Sequence, residues 1–213
     1  GEPLLLRVKS IEVRPAAAAE VREVAAAWAD AFVEDPVFRF LRPGRLRPQA
    51  RLRTMFETEL ELYVLPNGGT VWTTSTYEGA VAELPPGGWE MPKSATGREA
   101  LRWMRTYRTR LPRALKVERE MERRHISEPH IYVRTVGVRT EFQGQGLGPM
   151  LMQPTLEKAD SAGLPAYIEA SSERSAALYE RLGFLHLGVF ELPGGGPPVW
   201  PMRRPAAFPP ARL

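Results

Sequence analysis

Residues 130–163 constrain the fold more than any other stretch of this chain. Ile131, Tyr132, Val133, Thr135, Val136 and Val138 make 130–138 a β-branched and aromatic run that reads as a strand. Gln143, Gly144, Gln145, Gly146, Leu147 and Gly148 follow, and then a helical pattern over 150–162 with Gly163 as its C-cap. In such a strand–loop–helix unit the first N–H groups of the helix have no internal partner, and glycines let the backbone come close to a ligand. The helix dipole favours an anion there, and a diphosphate suits the site. Gly144, Gly146 and Gly148 stand two apart and late in the chain, unlike the Gly-x-Gly-x-x-Gly of a dinucleotide fold. Pro149 and Met150 follow Gly148 where a P-loop needs Lys and then Ser or Thr.

The rest of the chain alternates in the same way. A short strand is expected over 11–14, and an alanine-rich helix over 16–32 with Val21, Val24, Trp28 and Phe32 at helical spacing. A second helix is expected over 48–63, and a hairpin from 70–74 and 77–84 after the turn Pro66-Asn67-Gly68-Gly69. Residues 94–124 read as helix broken at Leu111-Pro112, 166–170 as strand, 172–182 as helix ending at Gly183, and 185–190 and 199–203 as late strands. This alternation argues for one α/β domain over 1–204, with 1–10 as an N-terminal extension and 205–213 as a proline-rich tail.

Composition excludes several classes. The 213 residues include no cysteine, which removes disulfides, Cys-ligated metals and thiol nucleophiles and fits a reducing cytoplasm. No apolar run approaches the roughly 20 residues that cross a bilayer, so no membrane association is expected. His125, His130 and His186 lack metal-ligand spacing, and surface or structural roles are expected for them, with no metal. The net charge of +4 would favour an anionic ligand. The basic stretch 102–124 is interleaved with Glu118, Glu120 and Glu122, which argues against nucleic acid.

Gln143-x-x-Gly146-x-Gly148 resembles the Gln/Arg-x-x-Gly-x-Gly/Ala signature of the GNAT acetyltransferases. The run Ser172-Glu-Arg-Ser-Ala-Ala-Leu178-Tyr179-Glu-Arg-Leu-Gly183-Phe184 is similar to that family's Asn-x-x-Ala-x-x-Leu-Tyr-x-x-x-Gly-Phe helix, in the right order and at the right distance. Glu128-Pro129, Ile168-Glu169-Ala170-Ser171 and the ending 191–204 look like the puromycin N-acetyltransferase branch, whereas the half before residue 128 diverges from it. The resemblance implies a GNAT fold of α/β (α+β) class: a mixed, mostly antiparallel sheet splayed between its fourth and fifth strands and flanked by helices. It implies acetyl-CoA as cosubstrate, held along Val136, Gly137 and Val138 and by the loop Gln143, Gly144, Gln145, Gly146, Leu147 and Gly148. Ser172 replaces the family asparagine, so a helix cap is expected there ahead of contact with the cofactor.

Function follows as an expectation: N-acetylation of a small-molecule amine by direct attack, in a monomer or homodimer. Tyr179 falls on the motif tyrosine, and a phenol beside the departing sulfur can protonate it. Glu83, at the end of the strand over 77–84, and Glu169, within 166–170, are the candidate general bases. Trp28, Phe32, Phe56, Tyr63, Trp89, Trp103 and Tyr107 are candidates for core or for an acceptor pocket. An acyl-CoA sensor of the same fold, or acetylation of a protein amine, are the alternatives.

Overall fold

The computed structural model describes residues 11–90 and 95–207. The expected extension over 1–10, residues 91–94 and the end of the proline-rich tail, 208–213, lie outside the described residues. The elements run β1 (Val13–Pro15), α1 (Val21–Ala31), α2 (Pro36–Leu41), α3 (Pro48–Glu59), β2 (Thr70–Thr74) and β3 (Gly79–Leu84). Then come α4 (Gly97–Tyr107), α5 (Leu111–Arg124), β4 (Ile131–Val138), α6 (Leu147–Ala162), β5 (Ala166–Ala170) and α7 (Glu173–Arg181). Three late strands close the chain: β6 (Leu185–His186), β7 (Phe190–Glu191) and β8 (Pro198–Arg204). The strands form one sheet in the order β1-β2-β3-β4-β5-β8-β6, with β7 also on β8. Among the described residues only the β4–β5 pair is parallel, so the expected mixed, mostly antiparallel sheet is present.

Strand alternation divides the sheet into two packed faces. Ala80, Ala82, Leu84, Tyr132 and Tyr167 join the cluster under α1 and α3, while Val81, Val133, Ala166 and Ile168 join the one under α6 and α7. Trp28 of α1 is fully buried, and its indole N–H donates to the Ala80 carbonyl at 2.9 Å. That close crossing needs Gly137: a Cβ there would lie 2.6 Å from the Trp28 ring and 2.8 Å from Phe32.

The sheet opens at one place. β4 and β5 pair only from Ile131↔Ala166 to Val133↔Ile168. On its other edge β4 carries a bulge: Val133 faces Glu83 and Thr135 faces Ala82, so Arg134 is the extra residue. A bulge bends its strand and redirects the side chains beyond it. Here it coincides with the point where β4 leaves β5, and the two strands form a fork.

Three local expectations change. Asp35-Pro36 does not end the first helical unit but starts α2, for which Asp35 is the N-cap and Pro36 the first residue. The run over 185–190 is split into β6 and β7 around Gly188, whose φ is 132°. Its alternating Leu185, Leu187 and Val189 stay exposed, so no burial holds them in one continuous strand. The helix after the glycine loop begins at Leu147, three residues earlier than its apolar pattern indicates.

Candidate active site

The glycine loop occupies one side of the fork. Gly144 and Gly146 have φ of 78° and 86°, a region costly for residues with a Cβ, and both face open space. Gly146 is the N-cap of α6, and its side-chain-free turn directs the first N–H groups of the helix outward. Gly148 has a different role: a Cβ there would come 3.2 Å from Leu178, so it lets α7 pack against α6. Leu147 is buried in the core. Gln143 donates to the Val138 carbonyl at 3.0 Å and Gln145 to the Glu141 carbonyl at 2.9 Å, so both side chains brace the loop. Val136, Gly137 and Val138 pair with β3 through Val81, Ala80 and Gly79. Their opposite edge faces the fork, where β5 has already diverged. Exposed helix N–H groups and an open strand edge together fit a long, phosphate-bearing chain such as coenzyme A.

A cavity of 740 Å³ occupies the other side. Tyr63, Trp103, Tyr107 and Tyr132 give it aromatic walls, and Phe32, Phe38, Leu62, Met104 and Met121 give it apolar ones. Thr135, Val136, Ser171, Ser175 and Tyr179 line it at the fork. Trp28 and Phe56 are core residues, and Trp89 stacks on His125 with ring centroids 4.1 Å apart. The cavity therefore takes walls from α1 through α5, the half of the chain that the family resemblance covers least.

Charge is concentrated in its floor. Glu59, Glu118 and Glu169 line it with the guanidinium of Arg134, while Glu99, also on its lining, is held in the cap of α4 by Thr96. Arg134, aimed by the bulge, donates to Glu59 at 2.6 Å, to both oxygens of Glu118 at 3.3 Å and to the Tyr132 hydroxyl at 3.2 Å. Burial pushes the Glu118 carboxyl up; Glu59 and Glu169 push it further, and Arg134 opposes them. Glu59, Glu118 and Glu169 set three carboxyl groups against one guanidinium, an arrangement that suits a cationic guest.

Tyr179 stands on α7 where the cavity meets the fork, with 5% of its surface exposed. Burial raises its phenol, and the nearby Asp35 carboxylate raises it again, so the hydroxyl keeps its proton at neutral pH. Asp35 caps α2 by accepting from Val37 N at 2.9 Å and Phe38 N at 3.1 Å, and its second oxygen accepts from Ser171 Oγ at 2.5 Å. Sequence reasoning missed Asp35 and Ser171. An aspartate directly before a proline is the ordinary signal of a capped helix start and marks Asp35; Ser171 has no comparable signal.

The two candidate bases separate. Glu169 is the first residue of β5 beyond its pairing with β4; it lines the cavity, and its Oε2 accepts from Tyr132 at 2.7 Å. Glu83 points to the opposite face of the sheet, where Lys158 of α6 donates to it at 2.6 Å, and does not line the cavity. One strand position decides this, because Ala82 and Leu84 already take the cavity face. Ser172 caps α7, accepting from Ser175 N at 3.2 Å, and is not among the residues lining the cavity. His186 pairs with Glu180 at the surface, as expected. His125 and His130 are buried beside Glu169 and belong to the site's surroundings, which their spacing did not reveal.

Residues 113–184, from α5 to the end of the α7 unit, match the acetyltransferase (GNAT) family model. An uncharacterised N-acetyltransferase of Schizosaccharomyces pombe is 26% identical over 79% of this chain and 72% of its own length. A solved Corynebacterium glutamicum structure, described as histone acetyltransferase HPA2 and related acetyltransferase, is 27% identical and superposes with a TM-score of 0.68 over 94% of this chain and 99% of that one. A phosphinothricin acetyltransferase from Sinorhizobium meliloti, solved in complex with acetyl-CoA, shares the fold at 16% identity, with a TM-score of 0.54 over 96% and 92% of the two chains. Residues 113–184 therefore carry a GNAT acetyltransferase family domain, and the fold as a whole is similar to that of the Corynebacterium glutamicum acetyltransferase. Acetyl-CoA is that family's acetyl donor, and amines are its acceptors.

Proposed function

We propose that this protein acetylates the amine of a small, cationic, partly aromatic molecule held in the 740 Å³ cavity, using acetyl-CoA bound along the fork. The observation that carries this reading is the continuity of the site: one cavity runs from the acidic, aromatic floor to Tyr179 and Val136 at the open edge of β4. The N–H groups of Gly144 to Gly148 hold the diphosphate, and the backbone of Val136 to Val138 holds the pantetheine arm. Backbone donors aimed at the thioester oxygen contribute up to ~3 kcal/mol each to the transition state.

The acceptor enters as an ammonium, drawn by the carboxylates. Glu169 takes a proton from it, and the free amine attacks the thioester carbon. Collapse of the adduct breaks the C–S bond, and Tyr179 gives its proton to the sulfur as general acid. The surplus proton on nitrogen restores Tyr179, so the products are the amide and the free thiol. A deep cavity with aromatic walls favours a small molecule over a protein lysine, which needs an extended groove.

A thiol-release screen of amines with acetyl-CoA tests this reading. Cationic amines with an aromatic or long apolar body should rank first, and small hydrophilic amines last. Binding of acetyl-CoA without thiol release above background from any amine would favour the sensor alternative.

A further inference from the structure

Behind Glu169, away from the cavity, lie two buried histidines in contact. Glu169 Oε1 is 3.4 Å from His125 Nδ1; His125 Nε2 is 2.9 Å from His130 Nε2; His130 Nδ1 is 2.7 Å from the Glu128 carbonyl. Side-chain exposure is 3% for His125 and 5% for Glu169, and His130 is 1% exposed. His125 is closed in by Trp89, Tyr132 and Tyr167.

Proton counting gives the state of this chain when both imidazoles are neutral and Glu169 is ionised. Its three contacts join four groups, and each contact needs one proton to be a hydrogen bond. The Glu128 carbonyl only accepts, so His130 carries its proton on Nδ1 and offers a lone pair at Nε2. His125 must then place its proton on Nε2, towards His130. Its Nδ1 is left with a lone pair facing a carboxylate oxygen. Two neutral imidazoles supply two protons for three contacts, and the vacancy falls between His125 and Glu169. The geometry agrees: the contacts lengthen from 2.7 to 2.9 to 3.4 Å, and the other donor facing Glu169 on this side is the Tyr167 hydroxyl, not a histidine N–H. In that state the site lacks one proton, the number that an ammonium acceptor must lose before it attacks.

We propose that His125, oriented by His130, is a positioning residue that completes Glu169 as the base, the two sharing the proton taken from the acceptor ammonium. This rests on the acetyl-transfer reading above. The ammonium N–H breaks, the proton settles between Glu169 Oε1 and His125 Nδ1, and it passes to solvent when the product leaves. Burial holds His130 below the ordinary imidazole range, so the added charge stays on the His125–Glu169 contact. The titratable and charged groups around this contact are Tyr132 and Arg134 from β4, Tyr167 from β5, Glu118 from α5, Glu59 from α3, Tyr63 from the turn after α3, and Glu128 with its partner Arg203 beyond His130.

The pH dependence of thiol release tests the proposal. His125→Phe keeps the stacking on Trp89 and removes both nitrogens. It should lower kcat by about 10- to 100-fold, leave the KM for acetyl-CoA within about twofold, and move the acidic limb of kcat/KM to lower pH, because the proton then has one acceptor in place of two. His130→Phe should shift the limb the same way by less. His130→Gln, which can still donate to Glu128 and accept from His125, should restore the wild-type limb. Unchanged limbs in His125→Phe and His130→Phe, with wild type active, would overturn the proposal. Imidazole 15N shifts of the wild-type protein give a second readout that does not depend on any variant folding. Above the limb, His125 should carry its proton on Nε2 and His130 on Nδ1; below it, His125 alone should gain a second proton. A proton on His125 Nδ1 above the limb would overturn the proposal by itself. Absence of thiol release from wild type with any amine would instead count against acetyl transfer.

Discussion

The two sides of the fork are built from different material. The side proposed for acetyl-CoA is mostly main chain: the free edge of β4, two left-handed glycines and the start of α6. The acceptor side is almost entirely side chain, with walls from α1 through α5 and a floor of Glu59, Glu118, Arg134, Tyr132 and Glu169. The first is assembled within a short stretch of chain; the second gathers residues more than a hundred positions apart. A backbone site can stay fixed while the acceptor side varies freely, so the same cosubstrate can serve different amines.

Substitutions on each side should therefore have separable effects. The largest should come from Tyr179→Phe, where the two sides meet: kcat falls about 10²-fold or more, while calorimetry finds acetyl-CoA affinity within a few fold of wild type. Equal turnover in the two proteins would remove the acid role. Glu169→Gln should cost about 10²-fold in kcat/KM for the amine. Its rate should climb with pH without reaching the wild-type plateau, because only amine already neutral in solution can react; a plateau at the wild-type pH would place the base elsewhere.

Gly146→Ala confines the damage to the other side. Its φ of 86° makes a Cβ cost roughly 1–2 kcal/mol, equivalent to about 10-fold in acetyl-CoA affinity if the loop gives way to relieve it. The acceptor KM should not move. Glu118→Gln should do the reverse, raising the KM of cationic acceptors by about 3-fold or more and sparing acetyl-CoA; a matching change in acetyl-CoA affinity would dissolve the division. The smallest effect is a control outside both sides. Glu20 is held at about 2 by Arg14, Tyr77 and the backbone of Ala17. A depressed carboxyl adds stability above its ordinary value near 4.5, and that stability fades as pH falls towards 2. The Tm gap between wild type and Glu20→Gln should be present at pH 7, shrink below pH 4.5, and bring no kinetic change.

The same division explains what could be read early. The glycine loop, α6, α7 and Tyr179 lie in one continuous stretch, and glycines that need positive φ or close approach leave a local mark. The cavity floor left no such mark. Glu83 and Glu169 are both glutamates within strands, and only pairing register and strand parity put Glu169 in the cavity and Glu83 against Lys158. His125 and His130 have no ligand spacing, because their partners are each other, a backbone carbonyl and a glutamate from another strand.

By itself the sequence determined the order of the strands and helices apart from α2 and the β6–β7 break, the position of the glycine loop and the tyrosine that faces the fork, since propensity, turn chemistry and short motifs act over a few neighbouring residues. Only the tertiary structure decided where β4 parts from β5, which face each glutamate takes and how the buried protons are shared. Those outcomes depend on the bulge at Arg134 and on contacts between segments far apart in the chain, where no local rule reaches.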